Sequence, residues 1–232
     1  SSAIGAAAGF SSDGLPVTKL VAGLCILVYG LCMLTNGPFE LKVAVSGAFK
    51  SSTLLRFGVL GADLGWQEPW RLLAACFLHF GLLHIGMNLL SLLSLARTLE
   101  PHFGSPRFAI LYVATGLVGF LTSQLWYEWR DPGQFIPTAG ASGAVFGLVG
   151  AYVGVLWARR HPNWGRVLVN YLVYAAIIGY VLPANNAAHV GGFFAGIVVP
   201  ALFERERQPR RRDGLMKALG ALCLVACGAS VV

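Results

Sequence analysis

The sequence is short of charge. Only 12% of its 232 residues are Asp, Glu, Lys or Arg, while 56% are hydrophobic; a soluble domain of this length carries roughly 25% charged residues. With a mean hydropathy of +0.67, this deficit excludes an ordinary water-soluble globule. It predicts one bundle of membrane-spanning helices, not several soluble domains. The five cysteines (Cys25, Cys32, Cys76, Cys223, Cys227) form no C-x-x-C pair, and all lie in or beside apolar runs. That excludes a zinc ribbon or disulfide scaffold and leaves them as small buried hydrophobes. H-E-x-x-H is absent, His79 and His84 are five apart, and acidic residues are missing nearby. Neither a zinc protease site nor any other metal or cofactor is expected. Ser1 to Gly14 lacks a basic n-region, so no cleaved signal peptide is expected.

Positive charge is in excess, with a net charge of +7. The basic residues sit in short loops beside apolar runs, which reads as orientation in a membrane and not as a nucleic-acid partner.

What the sequence does contain is a series of apolar runs close to the roughly 20 residues a spanning helix needs. Six lie at 17–34, 72–96, 108–127, 142–157, 167–182 and 189–203, and a weaker one at 215–232 is interrupted by Lys217, Gly220, Gly228 and Ser230. The expected fold is all-α and polytopic: a cytoplasmic tail at 1–16, a six-span core at 17–203, a basic linker at 204–214 and a seventh span at 215–232. The connection 35–71 is long and carries Phe39, Phe57, Trp66 and Trp70, which favours a segment lying in the bilayer interface. Trp126, Tyr127 and Trp129 form an aromatic belt at one end of the third span. With the N-terminus in the cytoplasm, twelve of the 17 Lys and Arg fall on the cytoplasmic side, as the positive-inside rule requires. Contact with membrane lipid follows from the composition.

Strongly polar groups at membrane depth are functional candidates, because burying them in hydrocarbon is costly. Here they are His79, His84, Asn88, Ser142 and His189. Ser142 lies in Gly140-Ala141-Ser142-Gly143, at the start of the fourth span, and Gly143 with Gly147 forms a small-x-x-x-small pair. Two readings of this stretch stand side by side: close helix packing with a tolerated serine, or a nucleophile. The second, fourth and sixth spans run in the same direction, which places His84, Ser142 and His189 at similar depth on one side. Gly192 and Gly196 follow His189 on roughly one helical face, so the fourth and sixth helices can approach closely. A serine hydroxyl beside a neutral imidazole is what nucleophilic catalysis needs. No Asp or Glu occurs between Asp131 and Glu204, so the constellation is a dyad and not a triad. His84 and Asn88 are one turn apart. They are either donors to a developing oxyanion or hydrogen-bonding glue between helices.

The motifs occur in a telling order: Trp70-Arg71, the H-x-x-x-x-H-x-x-x-N of His79 to Asn88, Gly140-Ala141-Ser142-Gly143, and Ala188-His189-Val190-Gly191-Gly192 with Gly196. Over about residues 68 to 196 the chain resembles the rhomboid family of intramembrane serine proteases. The resemblance implies Ser142 as nucleophile and His189 as general base. It implies His84, Asn88 and the Ser142 backbone N–H as oxyanion donors, and Phe146 as the aromatic against the imidazole, where the family often has Tyr. Gly140 and Gly143 flank the serine in the motif, and Gly192 and Gly196 match close-packing glycines. Trp70-Arg71 implies a membrane-embedded hairpin in the first connection. Glu100 and Gly104 resemble a structural motif after the second span, but His102 stands where an arginine is common, which bears on that loop's salt bridge. The implied activity is cleavage of single-span membrane proteins near the outer end of their spans, in a multi-pass protein of a bacterial inner membrane. Two other classes were weighed. An inactive family relative acting as a membrane adaptor is opposed by intact Ser142 and His189. A transporter with proton-relaying histidines is opposed by the lack of an internal repeat.

Overall fold

The computed structural model describes residues 14–61, 64–181, 185–204 and 209–229. Most of the tail 1–16, part of the short connection 183–188, and Arg205 and Arg207 of the basic linker lie outside them. The described residues are almost wholly helical. α1 (Pro16–Thr35) is followed by four short helices, α2 (Leu41–Ser46), α3 (Ser51–Arg56), α4 (Leu64–Gln67) and α5 (Arg71–Ala74). Then come α6 (Leu82–Phe103), α7 (Ser105–Arg130), α8 (Ser142–Ala158), α9 (Trp164–Val181), α10 (Asn186–Glu204) and α11 (Pro209–Ala229). By length and composition α1, α6 and α7 can each cross a membrane, and shorter apolar helices lie at Ser142–Ala158, Asn186–Pro200 and Gly214–Cys227. The protein is an integral membrane protein of all-α fold.

The second span differs from its expected bounds. The apolar run at 72–96 is not one helix: α5 ends at Ala74, a turn follows, and α6 starts only at Leu82. Gly81, with φ +145°, breaks the chain there; this backbone region suits glycine because a Cβ would clash. The intervening residues Ala75, Cys76, Phe77, Leu78 and His79 are wholly buried. They read as part of a span because they are core, and irregular backbone at membrane depth is tolerated where protein surrounds it. Helix α6 then runs on past Arg97 to Phe103. The sixth span likewise starts before His189, at Asn186, so residues 186–189 make the first turn of α10.

The first connection is a folded unit that Arg71 holds together. The buried guanidinium donates from Nη1 to the carbonyls of Leu55 (2.7 Å) and Val59 (3.3 Å). It pairs through Nη2 with Glu68 at 2.9 Å, and it stacks over Trp70 at 4.6 Å. Arg suits this place because its several N–H donors can serve more than one acceptor at once. Elsewhere, buried Glu100 caps a helix. Its carboxylate accepts from the backbone N–H groups of Val17 (3.0 Å) and Thr18 (3.1 Å), from Thr18 Oγ1 (2.5 Å) and from Ser105 Oγ (2.8 Å). An anion at the start of α1 satisfies orphan amides and the helix dipole together.

The core of the bundle is α10 packed on α8 and α7, the most extensive helix contacts in the molecule. The approach is backbone to backbone. A Cβ built on Gly192 would run into the carbonyl of Gly143, and one on Gly196 into the carbonyl of Gly147. Gly147 in turn lies against Thr115 of α7, and Gly119 of α7 lies against the Ala188 carbonyl. In a membrane, where apolar burial does not drive helices together, such close van der Waals contact does. Gly192→Ala and Gly196→Ala should therefore each force α10 off α8, at a cost of about 1–3 kcal/mol as overpacking, seen as a lowered unfolding temperature in detergent. Gly23→Ala, where a Cβ meets nothing within 4 Å, should leave that temperature unchanged or raise it.

Candidate active site

Three helix starts converge. Ser142 is the first residue of α8, His84 the third of α6 and His189 the fourth of α10. His189 Nε2 and Ser142 Oγ are 2.9 Å apart, a hydrogen bond in which the hydroxyl donates to the neutral ring when Nδ1 carries the proton. Phe146, one turn after Ser142, stacks on the imidazole with centroids 4.2 Å apart and planes 13° apart. Phe146 supplies the ring with a flat apolar surface and no hydroxyl. Among the described residues no carboxylate is bonded to His189.

His84 stands on the other side of the serine. Its Nδ1 accepts the Phe80 N–H at 3.3 Å, so its proton sits on Nε2. A Cβ on Gly140 would lie 2.8 Å from His84 Nε2 and 3.7 Å from Ser142 Oγ. The donor edge of the ring and the serine hydroxyl therefore flank a position that only glycine leaves open, and Gly140 also has φ +132°. Asn88, buried on the same helix, donates one Nδ2 hydrogen to the His84 carbonyl at 2.9 Å; its amide also lines the cavity described below. The first intrahelical bond of α8 runs from Val145 N–H to the Ala141 carbonyl at 2.9 Å. The Ser142 N–H is therefore one of the orphan amides at the helix start, with no partner among the described residues. His84, Asn88, Ser142 and His189 all line one cavity of about 780 Å³, whose walls are mostly apolar and include Phe80, Leu83, Met87, Ile136 and Phe146.

Other candidates fall elsewhere. Trp70 and Arg71 organise the first connection, and Gly143, Gly192 and Gly196 serve the helix contact. His79 does not face the cavity. It is fully buried: Nδ1 bonds the Phe77 carbonyl at 3.0 Å, and Nε2 accepts the Ala141 N–H at 3.3 Å. Both ring nitrogens are used, one to hold the buried turn before α6 and one to hold the residue before Ser142. The Gly140 N–H bonds the Ala75 carbonyl of the same turn at 2.8 Å, and Thr138 pairs with Leu60 in both directions at 3.0 and 2.7 Å. Sequence reasoning missed these ties, along with Thr138 and Asn185 in the cavity wall. The asparagine pair Asn185-Asn186 just before an apolar run is the signal that could have marked a helix cap there. Backbone pairing of Thr138 leaves no side-chain signature. His79→Phe keeps the ring volume but strands a buried N–H and a buried carbonyl, each worth about 1–3 kcal/mol. Thermal unfolding in detergent should show a clear loss of stability, larger than for His79→Gln, whose amide can bond both.

Comparison with known proteins gives the family. Residues 66–206 match the model of the Rhomboid domain. The rhomboid protease GluP of Bacillus subtilis is 31% identical over 199 residues, covering 84% of this chain and 36% of that protein. RHOMBOID-like protein 5 of Arabidopsis thaliana is 36% identical over 178 residues, 74% of this chain and 56% of that one. Rhomboid-like protease 3 of Toxoplasma gondii is 29% identical over 226 residues, 93% of this chain and 80% of that one. The chain thus spans about a third of the first of these relatives and about half of the second. From the family match and the extent of these similarities, the chain belongs to the rhomboid family.

Proposed function

We propose that the protein is an intramembrane serine endopeptidase that hydrolyses single-span membrane proteins through a Ser142–His189 dyad. The observation that carries the reading is the 2.9 Å hydrogen bond from serine to histidine in the wall of a cavity. Ser142 Oγ attacks the substrate carbonyl carbon, and its proton passes to His189 Nε2. The carbonyl oxygen becomes an oxyanion beside His84 Nε2–H, the Asn88 amide and the Ser142 N–H. These donors are oriented before the reaction starts, which makes them effective in a site of low polarity. His189 then gives its proton to the leaving amine, and an acyl ester remains on Ser142. A water molecule, deprotonated by His189, hydrolyses that ester and returns the serine. Phe146 keeps the imidazole in plane throughout by stacking.

The site lies at the starts of α6, α8 and α10, so it sits near one end of the bundle. Charge asymmetry supports placing that end on the outer side, with the N-terminus in the cytoplasm. Trp66, Trp70, Phe39 and Leu55 are exposed on the first connection, which supports its lying in the membrane interface. The segment 215–232, most of which is the latter part of α11, is read as a seventh span outside the catalytic core at 17–203.

Ser142→Ala and His189→Ala should each abolish cleavage of a purified single-span substrate while leaving the protein folded in detergent. A serine-directed phosphonate should label Ser142, and chelators should have no effect. Activity that survives Ser142→Ala would sink the mechanism. His84→Ala or Asn88→Ala should lower kcat more than it raises KM, because these bonds strengthen in the transition state. The loss should stay below the roughly 10²–10³-fold known for a single oxyanion donor, since two other donors remain.

A helical substrate carbonyl is already hydrogen-bonded and screened, so the substrate must unwind to reach Ser142. Gly or Pro near the outer end of a substrate span should raise the cleavage rate, because both weaken a helix. A small residue such as Ala is expected before the scissile bond, on the family resemblance. Mass-spectrometric mapping of cleavage sites checks both points; cuts clustered at the cytoplasmic end would reverse the proposed orientation.

A further inference from the structure

Asn185 has no part in the chemistry above, yet it ties α10 to α7 and to the loop before Ser142. It directly precedes α10 as its N-cap. Its Oδ1 accepts the Ala188 N–H at 3.0 Å, and its backbone carbonyl accepts the N–H of His189 itself at 3.1 Å. An asparagine doing this much is an ordinary helix cap. The other end of the amide does something a cap does not require. Nδ2 donates to Ser123 Oγ of α7 at 2.6 Å and lies 3.3 Å from Thr138 Oγ1. Ser123 and Thr138 are both buried. Thr138 stands four residues before Ser142, on the segment that Leu60 holds by two backbone bonds. Asn185, Thr138, Ser142 and His189 all line the same cavity.

We propose that Asn185 is a positioning residue: its side chain locks the start of the His189 helix to the loop that carries Ser142, and so sets the distance between Nε2 and Oγ. The inference rests on the dyad reading given above. A planar amide supplies an acceptor at one end and donors at the other, which lets one side chain cap α10 and reach across to α7 and Thr138. Without the crossing bonds, α10 is still gripped by its glycine contacts further along, but its first turn is free to shift. His189 lies in that turn. Displacement of a reacting group by about 1 Å can cost roughly 100-fold in rate.

Substitution separates the cap from the crossing bonds. Ser caps a helix about as well as Asn but is too short to reach Ser123 and Thr138 as well. In the full chain, Asn185→Ser and Asn185→Ala should both lose about 10- to 100-fold in kcat with KM little changed. Phosphonate labelling of Ser142 should slow in parallel, while Asn185→Ser melts close to the wild type. Asn185→Asp keeps the length and lets the two hydroxyls donate instead, so it should recover most of the rate. Wild-type turnover in Asn185→Ser would reduce the residue to a cap and overturn the proposal. A loss of rate that follows melting temperature across all three variants would overturn it too. The ¹⁵N signal of His189 Nε2 reads the hydrogen bond to Ser142 without any substrate; it should shift in Asn185→Ser, and an unchanged signal would refute the proposal. A wild type that neither cleaves substrate nor takes the label would instead defeat the dyad reading.

Discussion

The whole arrangement depends on two helices coming close enough for their backbones to touch. Gly192 and Gly196 of α10 lie on the carbonyls of Gly143 and Gly147 of α8. Without side chains between them, the first turns of both helices share one small region, and there Ser142 Oγ meets His189 Nε2. Any larger residue on this seam moves the imidazole before it alters the chemistry. Thr115 and Gly119 extend the seam to α7, so a third helix braces the pair from behind.

Close packing sets the helices, but Ser142 also needs a fixed approach from the loop before it. That loop is held by bonds from several directions. Leu60 pairs with Thr138, the Ala75 carbonyl holds Gly140, His79 holds Ala141, and Asn185 reaches Thr138. Polar groups at membrane depth are costly when unpaired; here His79 pairs with backbone groups and the Asn185 amide with the Ala188 N–H and two buried hydroxyls. The result leaves the Ser142 N–H without a partner among the described residues, in a cavity that His84 also lines. Rigidity of the backbone around the serine and openness at one amide come from the same set of bonds.

The few polar residues are distributed between structural roles and the cavity. Glu100 and Arg71, both buried, are not among the residues that line the cavity; one caps α1 and the other gathers the carbonyls of the first connection. Neither reaches His189. In the proposed dyad the imidazole is held from outside by Phe146 and by the anchored start of α10, a task that an acid performs in triads.

Much of this was legible in the sequence, for physical reasons. Low charge and apolar runs report burial in lipid directly, since every spanning residue meets the same solvent. The serine, the histidines, Asn88 and the spaced glycines stood out because polar groups are rare at that depth and because glycine at i and i+4 marks one helical face. Bounds of elements were legible only where a terminus has its own chemistry. Residues 75–79 looked like helix because a core turn and a membrane span are equally apolar; only the tertiary structure, with Gly81 and the bonds to Gly140 and Ala141, decided between them. Which histidine faces the serine was also decided there: His79 and His84 are alike in sequence, and the partners of their ring nitrogens make one a pin and the other a donor. Those partners are largely backbone groups, which every residue possesses, so only folding reveals which of them meet.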